Sequence, residues 1–183
     1  MRVVAGHLKG RKIEAVKGDN TRPTSDKIKE TMFNVLGQFF DGGTALDLFA
    51  GSGNLGIEAL SRGIDEVTFI DADFQAVKTI KKNIETLGLE KNTFIYRNDA
   101  FKALDALAKR LASFDLVFLD PPYGKIKISH LLEELVAKEL LCVGAVIVCE
   151  FDVAQHIMFD VTKFTVLKEA HYKTIGLLIL KKL

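Results

Sequence analysis

Residues 44–56 read Thr-Ala-Leu-Asp-Leu-Phe-Ala-Gly-Ser-Gly-Asn-Leu-Gly, and the architecture of the chain can be worked out from them. A short apolar run leads into a Gly-x-Gly-x-x-Gly turn, after which a helical pattern begins. Gly51 permits the tight turn, Gly53 lets a ligand approach the backbone, and Gly56 lets the helix pack closely on the strand. The N-terminus of that helix also presents free backbone N–H groups. This order predicts a β–α unit that binds a nucleoside cofactor.

An acid follows at the end of the next strand. The apolar run 66–70 ends at Asp71, which lies 20 residues after Gly51. That is the spacing of an acid that hydrogen-bonds ribose hydroxyls in nucleoside-binding folds. The alternative is a glycine-rich β–α turn that holds no ligand. Strand, helix and acid in this order favour the cofactor site.

Strands and helices alternate from Thr44 onward. This alternation predicts an α/β fold with a mostly parallel, Rossmann-like sheet and helices on both faces. The nearly continuous apolar strands agree with burial on both sides. Only a short gap separates the last two strands, which are predicted to form an antiparallel pair. The predicted strands cover residues 44–49, 66–70, 93–96, 115–119, 145–150, 163–171 and 174–181, and the predicted helices cover residues 54–62, 74–87, 100–111 and 129–138.

The fourth of these strands runs into a stiff corner, Asp120-Pro121-Pro122-Tyr123. The prolines remove two backbone donors and fix two φ angles, and Pro121 holds Asp120 out of the α region. Such a corner can grip a planar base, because its oxygens accept from an exocyclic NH₂ while the aromatic ring stacks. The alternative is a plain proline turn with a half-buried tyrosine.

Acidic residues follow several of the predicted strands. Asp47, Asp71, Asp99 and Asp120 lie at or near the ends of four successive strands. Ligands bind at the carboxyl ends of the strands in such sheets. One such aspartate is ordinary turn chemistry, whereas four beside a glycine turn and a proline corner predict a site. Glu150 ends the fifth strand in the same way, and the sequence suggests no role for it beyond capping.

The first 23 residues precede the alternating part and are predicted to form a β-hairpin arm that is too small to be a domain. Pro23 marks a boundary, after which a helix with an apolar face continues to about Phe40. The predicted organisation is therefore an arm over residues 1–23 and a domain over residues 24–183. Residues 1–30 hold 8 Lys or Arg and 4 Asp or Glu, although the net charge of the chain is only +1. Such a basic patch suits contacts with phosphates, and a solvated surface is the alternative.

The overall composition excludes several classes of protein. The length of 183 residues and the 48% hydrophobic content fit one globular domain with a full core. We expect a cytoplasmic protein without a membrane segment, since no apolar run is long enough to span a bilayer and the N-terminus does not resemble a signal peptide. Two cysteines, Cys142 and Cys149, make neither a disulfide framework nor a metal cluster, and the histidines lack ligand spacing. We therefore expect no metal.

Taken together, these residues resemble a known family. Gly51 and Gly53 after Asp47, with Asp71, Asp99 and the Asp-Pro-Pro-Tyr corner, resemble the S-adenosylmethionine-dependent class I amino-methyltransferases. Nearly the whole chain is similar to the RsmD family of 16S rRNA (guanine-N2-)methyltransferases. The arm is the specific part of this resemblance, whereas adenine and cytosine amino-methyltransferases share the corner. The matching segments are residues 1–6, 9–13, 20–26, 29–30, 33–34, 47–53, 55–56 and 58–63.

The resemblance assigns the cofactor, S-adenosyl-L-methionine, to the strand-end residues. It implies that Asp47 and the loop Gly51–Gly53 hold the methionine part. It gives the ribose to Asp71 and the adenine amino group to Asp99. From the residues alone, Asp47 could instead accept from backbone N–H groups, and Asp99 could merely cap a helix. Asn54 departs from the family pattern, in which a small residue is commoner.

At the corner, the resemblance implies direct methyl transfer to the exocyclic N2 of a guanine in 16S rRNA. Asp120 and the carbonyl of Pro121 would accept the two hydrogens of the base NH₂ and aim its lone pair at the methyl group. Pro122 completes the corner, and Tyr123 would stack on a base that has left its own stack.

The RNA is expected to lie against the arm. Arg11, Lys12 and Arg22 are the candidates for phosphate contact. The chain has no large second domain to read a sequence, so we expect RNA shape or a folded ribonucleoprotein surface to select the target. The expected partner is ribosomal RNA within a small-subunit particle, and the protein is expected to act as a monomer.

Three other functions stay open at this point. Modification of adenine N6 or cytosine N4 in DNA or RNA would use the same corner, although the DNA enzymes usually carry a recognition domain. A nicotinamide-dependent oxidoreductase is compatible with the glycine spacing but leaves the proline corner idle. A non-enzymatic RNA-binding module would use the basic arm but leaves the strand-end acids unexplained.

Overall fold

The computed structural model describes residues 1–17, 26–122 and 124–183. Helices and strands alternate through most of this part of the chain, as the sequence predicts. The helices are α1 (Asp26–Leu36), α2 (Asn54–Ser61), α3 (Phe74–Leu87), α4 (Ala100–Lys109) and α5 (Ile128–Ala137). The strands are β1 (Thr44–Asp47), β2 (Glu66–Asp71), β3 (Thr93–Arg97), β4 (Phe114–Leu119), β5 (Leu141–Asp152), β6 (Phe164–Tyr172) and β7 (Ile175–Lys182).

The described strands form one sheet in the order β3-β2-β1-β4-β5-β7-β6. The first five in this order are parallel, and β7 runs antiparallel to both β5 and β6. The chain moves outward from β1 to β3 and then returns to β4 on the other side of β1. Such a switch point opens a crevice between the carboxyl ends of the two strands, where ligands bind. The predicted α/β fold with an antiparallel C-terminal pair is confirmed.

Each face of the sheet is covered by helices. Along β4, Leu116 and Phe118 belong to a core with α1, α2 and α3, which we call the first core. Val117 and Leu119 belong to a second core with α4 and α5. Successive side chains of a strand point to opposite faces, so alternate apolar residues fill the two cores. The apolar runs of the sequence therefore reflect burial on both sides.

Some element boundaries differ from those that the sequence predicts. Helix α1 ends at Leu36 rather than near Phe40, because Gly37 adopts a φ of 107°. Strand β5 begins at Leu141, four residues earlier than expected. A register shift against β4 accommodates the irregular segment after Leu141, which contains Gly144.

The N-terminal segment is paired less regularly than a hairpin. Arg2 and Lys12 form an isolated antiparallel bridge, and the chain between them is turn-rich. Val3 and Ile13 are buried in the first core, so this segment is packed on the domain. The boundary expected at Pro23 lies outside the described residues, and the division into an arm and a domain stays a prediction.

A buried ionic cluster fastens this segment to α1 and α2. The Glu58 carboxylate lies 2.9 Å from Lys29 Nζ and 2.8 Å from Arg62 Nε. It also accepts hydrogen bonds from the backbone N–H groups of Val4 and Ala5, at 2.8 and 2.9 Å. Burial alone raises the pKa of Glu58, but these hydrogen bonds and charges outweigh it and hold the pKa below its usual value. We call Lys29, Glu58 and Arg62 the ionic cluster.

Both cysteines are free. Cys142, near the start of β5, is half-buried, and its Sγ lies 3.1 Å from Ser113 Oγ. Cys149 is fully buried, and burial raises the pKa of its thiol. None of the helices in the described ranges is long and apolar enough to cross a membrane.

Candidate active site

A cleft of about 500 Å³ lies at the carboxyl ends of the central strands. It brings together most of the residues that the sequence predicts for the site. Residues Met1, Ala15 and Val16 of the N-terminal segment also line the cleft. Tyr123 lies outside the described residues. The nominated residues that line the cleft are Asp47, Gly51, Asp71, Asp99, Asp120, Pro121 and Pro122.

The loop between β1 and α2 needs glycine at two positions. Gly51 and Gly53 have φ angles of 55° and 79°, in the left-handed region that favours glycine. Gly51 N–H donates to Asp71 Oδ2 at 2.8 Å, which fixes the loop against the end of β2. A Cβ on Gly51 would meet no atom within 4 Å, whereas one on Gly53 would lie 3.3 Å from the Phe69 ring. The open approach to the backbone is therefore at Gly51 rather than at Gly53.

Gly56 allows α2 to lie close to the sheet, since a Cβ at this position would overlap the ring of Phe69. We expect Gly56→Ala to lower the free energy of unfolding by about 1–3 kcal/mol, the usual cost of overpacking a core. Urea denaturation measures this change. Gly51→Ala is the comparison, because it introduces the same methyl group into open space and carries only the cost of its backbone conformation, about 1–2 kcal/mol. A Gly56→Ala variant as stable as the native protein would contradict the packing argument.

Asp47 is a buried carboxyl at the end of β1. Its Oδ2 accepts a hydrogen bond from Gly56 N–H at 3.1 Å, so the backbone contact that the sequence left open as an alternative is present. Burial raises the pKa of Asp47 to about 7, the Gly56 hydrogen bond opposes this rise, and the charge of Asp71 adds to it. A cation bound beside Asp47 would stabilise its ionised form.

We expect the stability of the protein to fall as the pH rises from about 4 to 7. The folded pKa of Asp47 is about 7 against an ordinary 3.8, so across this range the unfolded chain loses a proton that the folded chain keeps. The unfolded state is therefore favoured increasingly until both states are ionised. Asp47→Asn should flatten this part of the profile, which urea denaturation at pH 5 and at pH 7.5 measures. An unchanged slope in Asp47→Asn would mean that other groups cause the fall.

Asp71 and Asp99 shape the rest of the cleft wall. Asp71 Oδ1 accepts from Asp73 N–H at 2.9 Å, so both of its oxygens hold backbone groups. Asp99 is the N-cap residue of α4, and its Oδ1 accepts from Phe101 N–H and Lys102 N–H at 3.0 and 3.2 Å. The capping alternative for Asp99 is thus present as well. Because an ionised carboxylate has about four acceptor positions, both groups keep capacity for a ligand hydroxyl or amine.

The proline corner follows β4 at the floor of the cleft. Asp120 is half-buried, Pro121 is buried and Pro122 is exposed. Burial raises the pKa of Asp120 well above its usual value, and the neighbouring charges of Glu150 and Asp47 raise it further.

Glu150 is a further cleft residue, for which the sequence suggested no role beyond capping. It lines the same cleft and is only 4% exposed. Its position at the end of the fifth parallel strand is the signal that could have identified it, since the other strand-end acids were chosen on that ground. In the described ranges, no group of three His, Cys, Asp or Glu side chains could hold a metal ion.

Two polar side chains tie the N-terminal segment to the glycine loop. Asn83 Nδ2 donates to the carbonyl oxygens of Ser52 and Glu14, at 2.9 and 3.0 Å. Lys29 Nζ donates to Asn54 Oδ1 at 2.9 Å and to a backbone carbonyl of the N-terminal segment at 2.8 Å. Asn54, which departs from the family pattern, therefore links the ionic cluster to the loop.

The candidates for RNA contact lie on the outer side of the N-terminal segment. Arg11 and Lys12 are exposed, and Arg11 Nη2 donates to the Thr86 carbonyl at 3.1 Å. Arg22 lies outside the described residues. Three further basic side chains of the segment are exposed beside them, Arg2, Lys9 and Lys17.

The sheet order, with a cleft at the switch point between β1 and β4, defines the class I methyltransferase fold. A family model narrows this class. The chain belongs to the family described as Conserved hypothetical protein 95, whose model matches residues 1–181. The resemblance to the RsmD family found in the sequence is confirmed.

Named relatives and a solved structure agree with this membership. The chain is 47% identical to "Putative rRNA methyltransferase YlbH" of Bacillus subtilis (strain 168), over 100% of the chain and 99% of that protein. It is 41% identical to "Ribosomal RNA small subunit methyltransferase D" of Haemophilus influenzae, over 67% of the chain and 64% of that protein. The solved structure "Putative methyltransferase yhhF from Escherichia coli" superposes with a TM-score of 0.86 at 28% identity, covering 100% of the chain and 97% of that one.

Proposed function

We propose that the protein methylates the exocyclic N2 of a guanine in 16S ribosomal RNA, with S-adenosyl-L-methionine as the methyl donor. The observation that carries this proposal is the single cleft that joins the glycine loop to the Asp120-Pro121 corner. Membership of a family with relatives named as rRNA methyltransferases supports RNA as the acceptor. The choice of guanine N2 rests on the resemblance to the RsmD family.

The cofactor is S-adenosyl-L-methionine, which supplies an electrophilic methyl group on a sulfonium centre. The residues of the cleft suit it, because a buried carboxylate, Asp47, lies where a cation would offset the cost of its burial. Together with Asp47, the loop Gly51–Gly53 would hold the methionine part. Asp71 would accept from the ribose hydroxyls and Asp99 from the adenine amino group.

Asp120 and the carbonyl of Pro121 would orient the acceptor amine. The lone pair of a base NH₂ is delocalised into the ring, so it is a poor nucleophile until both hydrogens are held and the nitrogen becomes tetrahedral. In favourable cases such orientation is worth up to about 7–11 kcal/mol. The same oxygens stabilise the positive charge that grows on the nitrogen. Stacking by Tyr123 would add about 1–3 kcal/mol.

The N-terminal segment would hold the RNA. Arg11, Lys12 and Arg22 are proposed to contact phosphates beside the cleft, whose wall Met1 and Val16 help to form. The substrate would be a base already exposed in the RNA or in a small-subunit particle, because entry into the cleft requires an unstacked base. We expect the protein to act in the cytoplasm as a monomer without a metal ion.

We expect the double variant Arg11→Ala/Lys12→Ala to weaken RNA binding and to flatten its salt dependence. Each lost phosphate contact should reduce the slope of log K against log salt concentration by about one. Filter binding between 50 and 300 mM salt measures the slope. Lys109→Ala/Lys168→Ala removes two exposed lysines elsewhere and is the matched control. If both double variants have the native slope, the RNA lies on another surface.

The proposal is tested by incubating the protein with methyl-labelled S-adenosyl-L-methionine and ribosomal RNA, either free or in small subunits. Mapping the product should find label on N2 of one guanine. Label on adenine N6 or cytosine N4 would replace the proposed acceptor. Calorimetry separates the cofactor classes, since S-adenosyl-L-methionine should bind and NAD should not.

A further inference from the structure

Glu150 lies beside Asp120 because of the strand register. Leu119 of β4 is paired with Cys149 of β5 in a parallel ladder. The next residue on each strand is a carboxylic acid, Asp120 and Glu150 respectively. Leu119 and Cys149 both point into the second core, so the two acids that follow point to the other face of the sheet. Both acids line the cleft.

The position of Glu150 is costly for a carboxylate. It lies on a strand between β4 and β7, is 4% exposed, and is paired in register with Leu177. Cys149 and Phe151, on either side of it, point into the second core on the opposite face, so Glu150 points to the face of the cleft. A second carboxyl so close to Asp120 also adds like-charge repulsion. Because both acids line the same cleft, a ligand with two adjacent hydrogen-bond donors can reach both of them.

Guanine presents the donors that such a pair of acids needs. Its Watson–Crick edge carries N1–H next to the N2 amino group, so adjacent atoms donate. Adenine and cytosine instead place an unprotonated ring nitrogen next to their amino group. An ionised carboxylate only accepts hydrogen bonds, and it would face the lone pair of that nitrogen.

We infer that Glu150 accepts the hydrogen bond from guanine N1–H, while Asp120 and Pro121 hold the N2 amine, and that Glu150 thereby selects guanine as the methyl acceptor. This inference rests on the proposed function and extends it to the residue that chooses the base. Glu150 is in this sense a specificity-determining residue. Asp120 keeps its role at the reacting nitrogen.

The experiment compares guanine with 2-aminopurine, which differs from it at N1 and in lacking the oxygen on C6, and the Glu150→Gln variant separates the contact to N1 from the loss of that oxygen. Small subunits are reconstituted with guanine or with 2-aminopurine at the mapped target. 2-Aminopurine keeps the 2-amino group but has an unprotonated N1. The native protein should methylate guanine about 10- to 100-fold faster than 2-aminopurine, the usual discrimination from a well-placed polar contact to a base. In Glu150→Gln the ratio should approach one, because the amide can donate to N1 of 2-aminopurine.

The control is Glu169→Gln, which makes the same change at an exposed position on β6 and should keep the native ratio. Calorimetry with S-adenosyl-L-methionine should give the native affinity for Glu150→Gln, which verifies that the variant is folded. If that variant does not fold, 1-methylguanine at the target carries the test, since it lacks the N1 donor and the native protein should methylate it at least about tenfold more slowly than guanine.

The outcomes separate this inference from the function on which it rests. Methylation of guanine with an equal ratio in native protein and folded Glu150→Gln would overturn the role of Glu150 alone. Equal rates on guanine and 2-aminopurine in the native protein would do the same. Methylation confined to adenine or cytosine would overturn the proposed function itself.

Discussion

Asp120→Ala is expected to lower the rate of methyl transfer by about 10²- to 10³-fold, the usual cost of removing one preorganised group that stabilises a transition state. The affinity for S-adenosyl-L-methionine should stay nearly unchanged, because the proposed cofactor contacts belong to Asp47, Asp71 and Asp99. Burial and the charges of Glu150 and Asp47 disfavour an ionised carboxyl at Asp120, so removing this carboxyl should not weaken the fold. Single-turnover kinetics measure the transfer rate, and calorimetry measures the affinity.

Two further variants make this result specific. Asp120→Asn keeps one acceptor oxygen and should lose less activity than Asp120→Ala. Asp41→Ala, which removes an exposed aspartate, should behave as the native protein does. If Asp120→Ala lost affinity and transfer to the same extent, the residue would belong to the cofactor site and not to the amine.

Glu58→Ala is expected to lower the free energy of unfolding by about 3–5 kcal/mol, which is typical when one partner of a buried ion pair is removed. The variant leaves Lys29 and Arg62 as buried cations without their carboxylate, and two backbone N–H groups of the N-terminal segment lose their acceptor. Since marginal stability is typical of single domains, a loss of this size threatens the fold. Urea denaturation at pH 7 measures it.

The matched control is Glu14→Ala, which breaks an exposed ion pair with Lys82. Exposed pairs contribute about 0–1 kcal/mol, so this variant should be close to native. Because the pKa of Glu58 is lowered in the folded state, the difference between Glu58→Ala and native protein should shrink as the pH falls below 4.5, the ordinary pKa of a glutamate. A loss no larger than that of Glu14→Ala would mean that the ionic cluster does not hold the segment in place.

The order of strands and helices was predictable because its causes are local. A few consecutive residues are enough to recognise an apolar strand, the glycine turn at Gly51 or the acid at Asp71. The helix α3 matches its predicted range of 74–87. The predicted ends of α1 and β5 were wrong, because a glycine can either end an element or lie within it. Gly37 ends α1, whereas Gly144 lies within β5.

The residues that hold the site in place were not predictable, because they contact residues that are distant along the chain. Lys29 and Glu58 resemble ordinary surface charges of amphipathic helices until the fold buries them together. Asn83 can bridge the glycine loop and the N-terminal segment only because the fold brings them to either side of its side chain. Glu150 was visible as a strand-end acid, but its register with Asp120 depends on the pairing of β4 with β5.

The two thiols differ in solvent accessibility, so a probe can be attached selectively to Cys142. Cys149 is buried with a raised pKa and should resist maleimide reagents, whereas Cys142 is partly accessible. Cys142 lies eight residues before Glu150 on β5, which corresponds to roughly 25 Å along an extended strand. A fluorophore attached there would sit at the far end of the sheet from the cleft. Fluorescence anisotropy of the labelled native protein would then test whether it binds ribosomal particles, with no engineered cysteine.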